Sequence, residues 1–308
     1  MVTNNINNTF VKQEIDGVKY RLKEPHDFTF LSKYGKVFKV FDEQGVNVCF
    51  GVEKDNRRYF VKFAGAKPIN FDACDGNTAK AIEWLKNAVS VYRDCEHPTL
   101  IKFIEAEEIG GGYAAIFEWV DATGIEPLNS PNHKRFISMS INKKMQAFES
   151  IMDFHAHAAM KGYVAIDFYD GSILYDYENE TVVICDIDFY QKSPYIGEIG
   201  LWGSTRFVSP EECTPGAIMD EITTVYTMGA TAIMLFGYDE KTDIHWREQG
   251  EEFYRLRKFH DTPPPTWQLS AALYNVARRA TSNDREKRQQ SVLQLIREWK
   301  EAIRRADA

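Results

Sequence analysis

The sequence has no excess of basic residues and no long apolar run. Its 308 residues include 45 acidic and 37 basic side chains, which gives a formal net charge of −8. A chain without a basic excess has little with which to neutralise a phosphate backbone, so nucleic-acid binding is disfavoured. The longest apolar candidate, Val225–Phe236, is too short to cross a bilayer, which needs roughly 18 or more apolar residues.

Cysteine is also scarce and scattered. The five cysteines form no CxxC pair, which argues against a zinc site or a disulfide framework and makes a reducing cytoplasm the expected location. The first residues, MVTNNINNTFVKQE, lack the apolar segment of a secretory signal. With 44% apolar and 27% charged residues, the composition predicts a folded globular protein.

The first 120 residues show mainly strand-like alternation. Three segments within residues 28–66 (KVFKVFD, NVCFGVE and YFVKFAG) predict an antiparallel meander. Helical periodicity predicts a helix over Thr78–Cys95, and LIKFIEAEEI and YAAIFEWV predict two strands around the turn at Gly110–Gly112. Residues 1–27 are polar and rich in Asn, and they predict a loose lead-in with one short strand at Val18–Leu22.

After Asp121 the pattern becomes mostly helical. Periodicity predicts a helix over Asn142–Met160 and an amphipathic last helix over Ser291–Ala306. Between them, Gly162–Asp167 begins a strand–turn–strand unit that continues through SILYDYENETVVICDID. The sequence therefore predicts an α+β fold with a β-rich N-terminal lobe and an α-helical C-terminal lobe. The predicted parts are an N-terminal extension, an N-lobe and a C-lobe, over residues 1–27, 28–121 and 122–308.

Three ionisable residues occupy unusual places in this pattern. Asp167 ends the segment GYVAID, and Asp186 follows the strand VVIC after a short hairpin. Two carboxylates that converge on one edge suit a hard divalent cation with a general base nearby. Lys62 lies inside the apolar strand YFVKF, where a buried ammonium needs a partner. Taken singly, each has an ordinary interpretation, because Asp is a common turn residue and a strand lysine usually reaches solvent.

The order of these residues resembles that of a eukaryotic-type (Hanks-type) serine/threonine protein kinase. His97-Pro98 follows Lys62, and Ser209-Pro210-Glu211 follows Asp186, so the resemblance covers residues from about 36 to 300. It implies a bilobal protein-kinase-like fold, ATP and Mg²⁺ as cofactors, and a protein substrate with a serine or threonine acceptor. Ser204 stands where serine/threonine kinases carry a threonine, which favours that class over tyrosine kinases.

The resemblance also implies a role for each central residue. Lys62 would hold the α- and β-phosphates of the nucleotide, and Asp167 would orient the acceptor hydroxyl and take its proton. Asp186 would bind Mg²⁺, together with Ser172 at the position of the usual asparagine. Phosphoryl transfer depends mainly on positioning and charge neutralisation, which these residue types provide.

Further residues would bind the nucleotide or stabilise the fold. Gly45 falls at the third glycine of the phosphate-binding turn. In YAAIFEWV, which resembles the strand that enters the kinase hinge, Glu118 and Val120 would offer backbone groups to adenine. Arg288 resembles the arginine that pairs with the glutamate of the Pro-Glu motif, which is Glu211 here.

Several positions depart from the kinase pattern. Asp42 falls at a glycine position, where its charge would repel phosphates. Ala88 falls where the regulatory helix carries a glutamate, and Glu83 lies about 140° away around the helix axis. Asp170 could compensate for the weaker ligand Ser172. The usual catalytic-loop lysine, central-helix aspartate and final glycine of the metal-binding segment are replaced, respectively, by Tyr169, Thr224 and Asp188.

The sequence therefore predicts an ATP-dependent phosphotransferase, with a serine/threonine protein kinase preferred. One alternative is a small-molecule kinase of the same fold, which would usually lack the pairing of Glu211 with Arg288. The other is a pseudokinase that serves as a binding scaffold. The joint presence of Lys62, Asp167 and Asp186 favours an active enzyme, and nucleotide binding would distinguish it from a scaffold.

Overall fold

The computed structural model describes most of the chain as a mixed α+β fold. The described residues are 10–43, 45–71, 77–127, 130–197, 205–250, 252–253 and 257–306. The chain divides into two units, the first formed by Met1–Glu96 and Ile101–Val120 and the second by His97–Leu100 and Asp121–Ala308. Ser204 lies outside the described residues.

A five-stranded antiparallel sheet forms the centre of the first unit. Its spatial order is β3-β4-β5-β7-β6. The strands are β3 (Lys36–Phe41), β4 (Val48–Lys54), β5 (Arg57–Ala64), β6 (Phe103–Ile109) and β7 (Gly112–Glu118). These are the five strands predicted from alternation. Their core face buries Val37, Phe50, Val61 and Ile116 at 0–2% exposure, because successive strand residues point to opposite faces.

Helix α1 (Thr78–Asp94) covers part of this sheet. It begins at Asn77, whose side chain accepts hydrogen bonds from the backbone N–H groups of Ala79 and Lys80. Such a cap satisfies donors that a helix start otherwise leaves open. The buried face includes Leu85, Ala88 and Val89, so the helix lies where its periodicity predicts it.

The N-terminal segment differs from the prediction. Strands β1 (Val11–Ile15) and β2 (Val18–Leu22) pair as an antiparallel hairpin, whose turn uses Gly17 at a φ of +89°. Tyr20 and Leu22 are 5% and 0% exposed and join the core of the first unit. The prediction of a loose lead-in is thus wrong for residues 10–27, because the few apolar side chains here alternate onto one buried face.

The second unit is mainly helical. Its helices are α2 (Pro131–Ile137), α3 (Ile141–Met160), α4 (Glu221–Gly237), α5 (Glu240–Glu248), α6 (Ala271–Ala280) and α7 (Val292–Ala306). Every residue of α4 from Thr223 onward is buried, as expected for a helix that is apolar on all sides. Within the described residues, no helix has the length and apolar character that a membrane span requires.

Short strands of the second unit position two loops. Strand β8 (Thr123–Gly124) pairs with β10 (Ile173–Asp176), which pairs with β11 (Thr181–Ile184). Strand β9 (Tyr163–Val164) pairs with β12 (Gln191–Lys192). The loop after β9 carries Asp167, and the loop after β11 carries Asp186.

Candidate functional site

Asp167 and Asp186 share an uncommon backbone conformation. Their φ angles are +62° and +54°, in the left-handed region that non-glycine residues seldom adopt, although aspartate tolerates it better than most. Such conformations concentrate at functional sites, where the surrounding structure has to hold them in place. Both carboxylates are therefore set at defined positions after strands β9 and β11.

The carboxyl group of Asp167 lies in an environment that favours its neutral form. Burial, followed by the negative charges of Asp186, Glu212 and Asp188, raises the pKa of Asp167 to about 7. Its Oδ1 atom is buried and has no hydrogen-bond partner. A carboxyl group with a pKa near neutrality can act as a general base close to pH 7. Strongly perturbed groups of this kind are typical of active sites.

Asp170 and Ser172 supply further buried oxygen atoms on the same loop. The two residues are 7% and 0% exposed, and Asp170 Oδ1 and Ser172 Oγ have no hydrogen-bond partner. Buried polar atoms are nearly always paired, and carboxylate and hydroxyl oxygens are ligands that Mg²⁺ accepts. The donor types therefore suit a hard cation, although among the described residues no three or more His, Cys, Asp and Glu side chains are grouped as a metal site.

Two glutamates belong to the same electrostatic environment, although the sequence analysis did not select them. Burial and the charge of Asp170 raise the pKa of Glu126, and the charge of Asp186 adds to the shift. Burial raises the pKa of Glu212 to about 7, and Glu212 accepts a 2.7 Å hydrogen bond from the N–H of Ser209. Glu126 and Glu212 are far from Asp167 in sequence, so no local pattern links them to it. The one available signal for Glu212 is its place next to Glu211 after Pro210.

Tyr169 lies on the same loop as Asp167, and an arginine lies beside this loop. Burial, followed by nearby carboxylates, raises the pKa of Tyr169 above its usual range, so the hydroxyl stays protonated at neutral pH. Arg206 Nη2 lies 3.5 Å from Asp170 Oδ2. Its Nη1 donates a 3.1 Å hydrogen bond to the hydroxyl of Tyr238. The loop therefore has a cation next to its carboxylates.

A threonine of the central helix holds the loop that carries Asp167. Thr224 lies on α4 and is 1% exposed, and its hydroxyl accepts a 3.0 Å hydrogen bond from the N–H of Ala165. In the kinase pattern an aspartate stands at the position of Thr224. The hydroxyl gives the backbone of the loop an acceptor without adding another buried charge.

The structure also brings Glu211 and Arg288 together. Arg288 Nη1 and Nη2 donate to the two carboxylate oxygens of Glu211, at 2.6 and 3.0 Å. Arg288 is 0% exposed and Glu211 is 5% exposed. Thr223 donates a further 2.9 Å hydrogen bond to Glu211. Burial by itself would raise the pKa of Glu211, but the hydrogen bonds and charge of Arg288 leave it below its usual value.

In the first unit, Lys62 lies in β5 and is 7% exposed, opposite Cys49 and Ala115 on the adjacent strands. Asp42 is held by Arg21, whose backbone N–H and Nε lie 2.7 and 3.2 Å from its Oδ2. Arg21 Nη2 also lies 2.7 Å from Glu43 Oε1, so this cation is shared between two carboxylates.

The other predicted nucleotide-binding positions of this unit are Gly45, Glu118 and Val120. An added Cβ at Gly45 would meet only the carbonyl oxygen of Asn70, at 4.0 Å, so this turn does not require glycine for space. Glu118 ends β7 and donates its N–H to the carbonyl of Lys102 at 2.9 Å, and Val120 follows it in a segment without regular structure.

Ala88 and Glu83, the two positions of α1 that the sequence analysis compared, differ in burial. Ala88 is fully buried on the face of α1 that packs into the unit, whereas Glu83 is exposed. The spacing of the two residues along an α-helix places them on different faces. A glutamate at the Ala88 position would be buried, and the chain instead has a side chain without charge there.

No family model matches the chain, and no curated protein is significantly similar to it. The function therefore has to be inferred from the chain's own residues. The described site offers a carboxyl group with a pKa of about 7, buried oxygen atoms without partners and a loop anchored to a buried helix.

Proposed function

We propose that the protein is a phosphotransferase that uses ATP and Mg²⁺ and, more specifically, a serine/threonine protein kinase of the Hanks type. The observation that carries this proposal is the setting of Asp167. Its carboxyl group has a pKa of about 7 and interacts with Asp186, and its loop is anchored to α4 through Thr224. Such a group can orient an acceptor hydroxyl and accept its proton as transfer begins.

The oxygen-rich loop around Asp167 supports a role for Mg²⁺. We propose that Asp186 and Ser172 hold the ion and that Asp170 assists, since Ser172 Oγ and Asp170 Oδ1 are buried without partners. When bound, Mg²⁺ neutralises charge on the phosphate oxygens of the nucleotide. Asp188 is an additional carboxylate at this position and adds to the negative charge that Asp167 experiences.

The nucleotide would be bound by residues of the first unit. We propose that Lys62 contacts the α- and β-phosphates, that the turn at Gly45 lies near the phosphates, and that the backbone of Glu118 and Val120 binds adenine. Arg21 compensates part of the charge of Asp42, because it pairs with Glu43 as well. The protein would carry out this reaction in the cytoplasm.

The loop around Ser209-Pro210-Glu211 supports a protein acceptor over a small molecule. Arg288 binds Glu211 through two hydrogen bonds in a buried site, so this loop has a defined conformation. An ordered loop at this position would give a peptide segment a surface to lie against. A small-molecule kinase remains the second outcome of the test below.

The test is Mg²⁺-dependent transfer of labelled γ-phosphate from ATP to the protein itself or to a generic Ser/Thr protein. We expect wild-type protein to transfer label and Asp167→Asn to lose about 10²- to 10⁴-fold in rate, the usual contribution of a positioned acid or base. Asp55→Asn is the matched control, because Asp55 is an exposed aspartate with a φ of +52°. Lys62→Met should weaken ATP binding.

The outcomes separate the candidate functions. Label on serine or threonine supports the protein kinase, whereas ATP consumption with a small hydroxylated acceptor and no protein labelling supports a small-molecule kinase. A thermal shift with ATP and Mg²⁺ but no transfer to any acceptor would indicate a nucleotide-binding scaffold. If the protein shows no transfer and no thermal shift, the proposal is contradicted.

A further inference from the structure

A polar cavity lies in the second unit, beside α6 and the segments that precede and follow it. Its volume is about 570 Å³. All of its described lining side chains are polar or charged, and they include Arg257, His260, Asn275, Arg278 and Ser282. Pockets for drug-like ligands are lined mainly by apolar side chains. This cavity therefore suits a small, strongly hydrated ligand that binds through hydrogen bonds and charge.

The cavity has more cations than anions, and two of the cations lack a carboxylate. Arg279 pairs with Glu298 at 2.8 Å, and Lys287 pairs with Asp284 at 3.3 Å. In the described ranges Arg257 and Arg278 make no ion pair.

The remaining acidic side chain of the lining is Asp261. Arg257 and Arg278 outnumber this carboxylate, so the lining retains positive charge, although Arg257 also interacts with Glu212 and donates hydrogen bonds to Val208 and Ser209. Guanidinium groups bind phosphate through paired, charge-assisted hydrogen bonds.

His260 is a buried polar side chain at the border of the cavity, and it is 2% exposed. Neither ring nitrogen makes a hydrogen bond of normal geometry, although the backbone of Arg206 is near enough to oppose the shift of its pKa. Burial and the charge of Arg257 lower the pKa of His260 to about 3. The neutral ring keeps one N–H group, and a buried group of this kind normally has a partner.

Arg257 links this cavity to the loop beside Asp167. Its Nε donates to the carbonyl of Val208 at 3.0 Å, and its Nη2 donates to the carbonyl of Ser209 at 3.3 Å. The charge of Arg257 lowers the pKa of Glu212, and Glu212 in turn raises the pKa of Asp167. An anion that binds Arg257 would therefore change the interactions of Arg257 with the loop that carries Ser209 and Glu212.

We propose that this cavity is a binding site for a small oxyanion of the phosphate class, held by Arg278 and Arg257. Two sources share this chemistry, free inorganic phosphate and a phosphorylated side chain. Binding at the cavity does not depend on the proposed phosphotransfer, so the two proposals can fail separately.

The test is isothermal titration calorimetry at constant ionic strength with two probes, inorganic phosphate and O-phosphoserine. We expect saturable binding of at least one probe to the wild-type chain. Tighter binding of inorganic phosphate would identify the free ion as the source, and tighter binding of O-phosphoserine would identify a phosphorylated side chain. No saturable binding of either probe would overturn the proposal.

Two variants locate the bound anion. Arg278→Gln should weaken binding about tenfold or more, the effect of losing one charge-assisted hydrogen bond. Asn275→Asp places a new negative charge on the lining with little change in volume, and it should weaken binding as well. Both positions are exposed on α6, so each substitution keeps the core intact.

Controls separate the cavity from other cationic sites. Arg304→Gln removes an exposed arginine of α7 and should leave binding unchanged. Lys62→Met tests whether the probes bind at the proposed nucleotide-phosphate position instead. If Lys62→Met abolishes binding and Arg278→Gln does not, the anion is not in the cavity and the proposal is wrong.

Discussion

Thr224 and Ala165 are joined by a hydrogen bond between the central helix and the loop that carries Asp167. Thr224 Oγ1 accepts from the N–H of Ala165 at 3.0 Å, and the two residues are 59 positions apart in sequence. The bond gives a buried N–H group the acceptor it needs. It also ties the position of Asp167 to the most buried helix of the second unit.

Thr224→Val should therefore destabilise the protein and slow the proposed transfer. Valine keeps the shape but leaves the N–H of Ala165 unsatisfied, at a cost of about 1–3 kcal/mol in the free energy of unfolding. The rate should fall about tenfold, because small displacements of a reacting group are costly. Urea unfolding and labelled-phosphate transfer measure the two effects.

Thr231→Val is the matched control for Thr224→Val. Thr231 lies on the same helix and is also buried, but its hydroxyl donates to the carbonyl of Thr227 one turn earlier. Losing this hydrogen bond does not affect the loop that carries Asp167. Equal rates for the two variants would show that the bond to Ala165 does not position Asp167.

The buried pair of Arg288 and Glu211 predicts a large loss of stability. Arg288→Ala leaves a buried carboxylate without its partner, which costs about 3–5 kcal/mol. Lys287→Ala serves as a comparison, since Lys287 pairs with Asp284 at 3.3 Å and both side chains are exposed. That variant should lose only about 1 kcal/mol. Equal midpoints in urea unfolding would contradict this ranking.

The pKa of Asp167 predicts how the rate of the proposed phosphate transfer depends on pH. As the proposed base, Asp167 would act only when ionised, so kcat/KM should rise about tenfold per pH unit below pH 7 and level off above it. Asp188→Asn removes one of the charges that raise this pKa. The acidic limb should then move to lower pH, while Glu178→Gln, at an exposed turn, should leave it in place. A limb that stays fixed in Asp188→Asn would refute this coupling.

The same pKa shifts predict how stability depends on pH, independently of activity. Asp167 and Glu212 have folded-state pKa values of about 7, above their usual values of 3.8 and 4.5. Between pH 4 and 7 the folded state therefore binds more protons than the unfolded state, so the contribution of these groups to stability falls as pH rises. It is lowest above pH 7, where both groups ionise in the folded protein.

Asp167→Asn should accordingly stabilise the protein at high pH. At pH 8 its free energy of unfolding should exceed that of the wild type by about 1–3 kcal/mol, and the difference should shrink toward pH 4. Thermal unfolding across this range provides the measurement. A wild-type chain that is more stable than Asp167→Asn at pH 8 would rule out the unfavourable burial of this carboxylate.

Periodicity in the sequence was enough to predict the α+β class and most of its regular elements. The alternation in KVFKVFD and YFVKF corresponds to β3 and β5, and the helical period over Asn142–Met160 corresponds to α3. The hairpin at Val11–Leu22 was missed in part, because β1 has only half-buried apolar positions. Its burial depends on partners in β2 and on Phe28, which a local pattern does not reveal.

The places of Asp167 and Asp186 after two strands follow from the amino-acid sequence alone, because strand alternation and turns are local properties of a few residues. The kinase-like order of motifs also predicted that Glu211 pairs with Arg288. The interactions of Glu212 with Asp167, of Glu126 with Asp170 and Asp186, and of Arg257 with Val208 became apparent from the folded structure. Charge interactions and burial act through space, so they depend on distances between residues that are far apart in the chain.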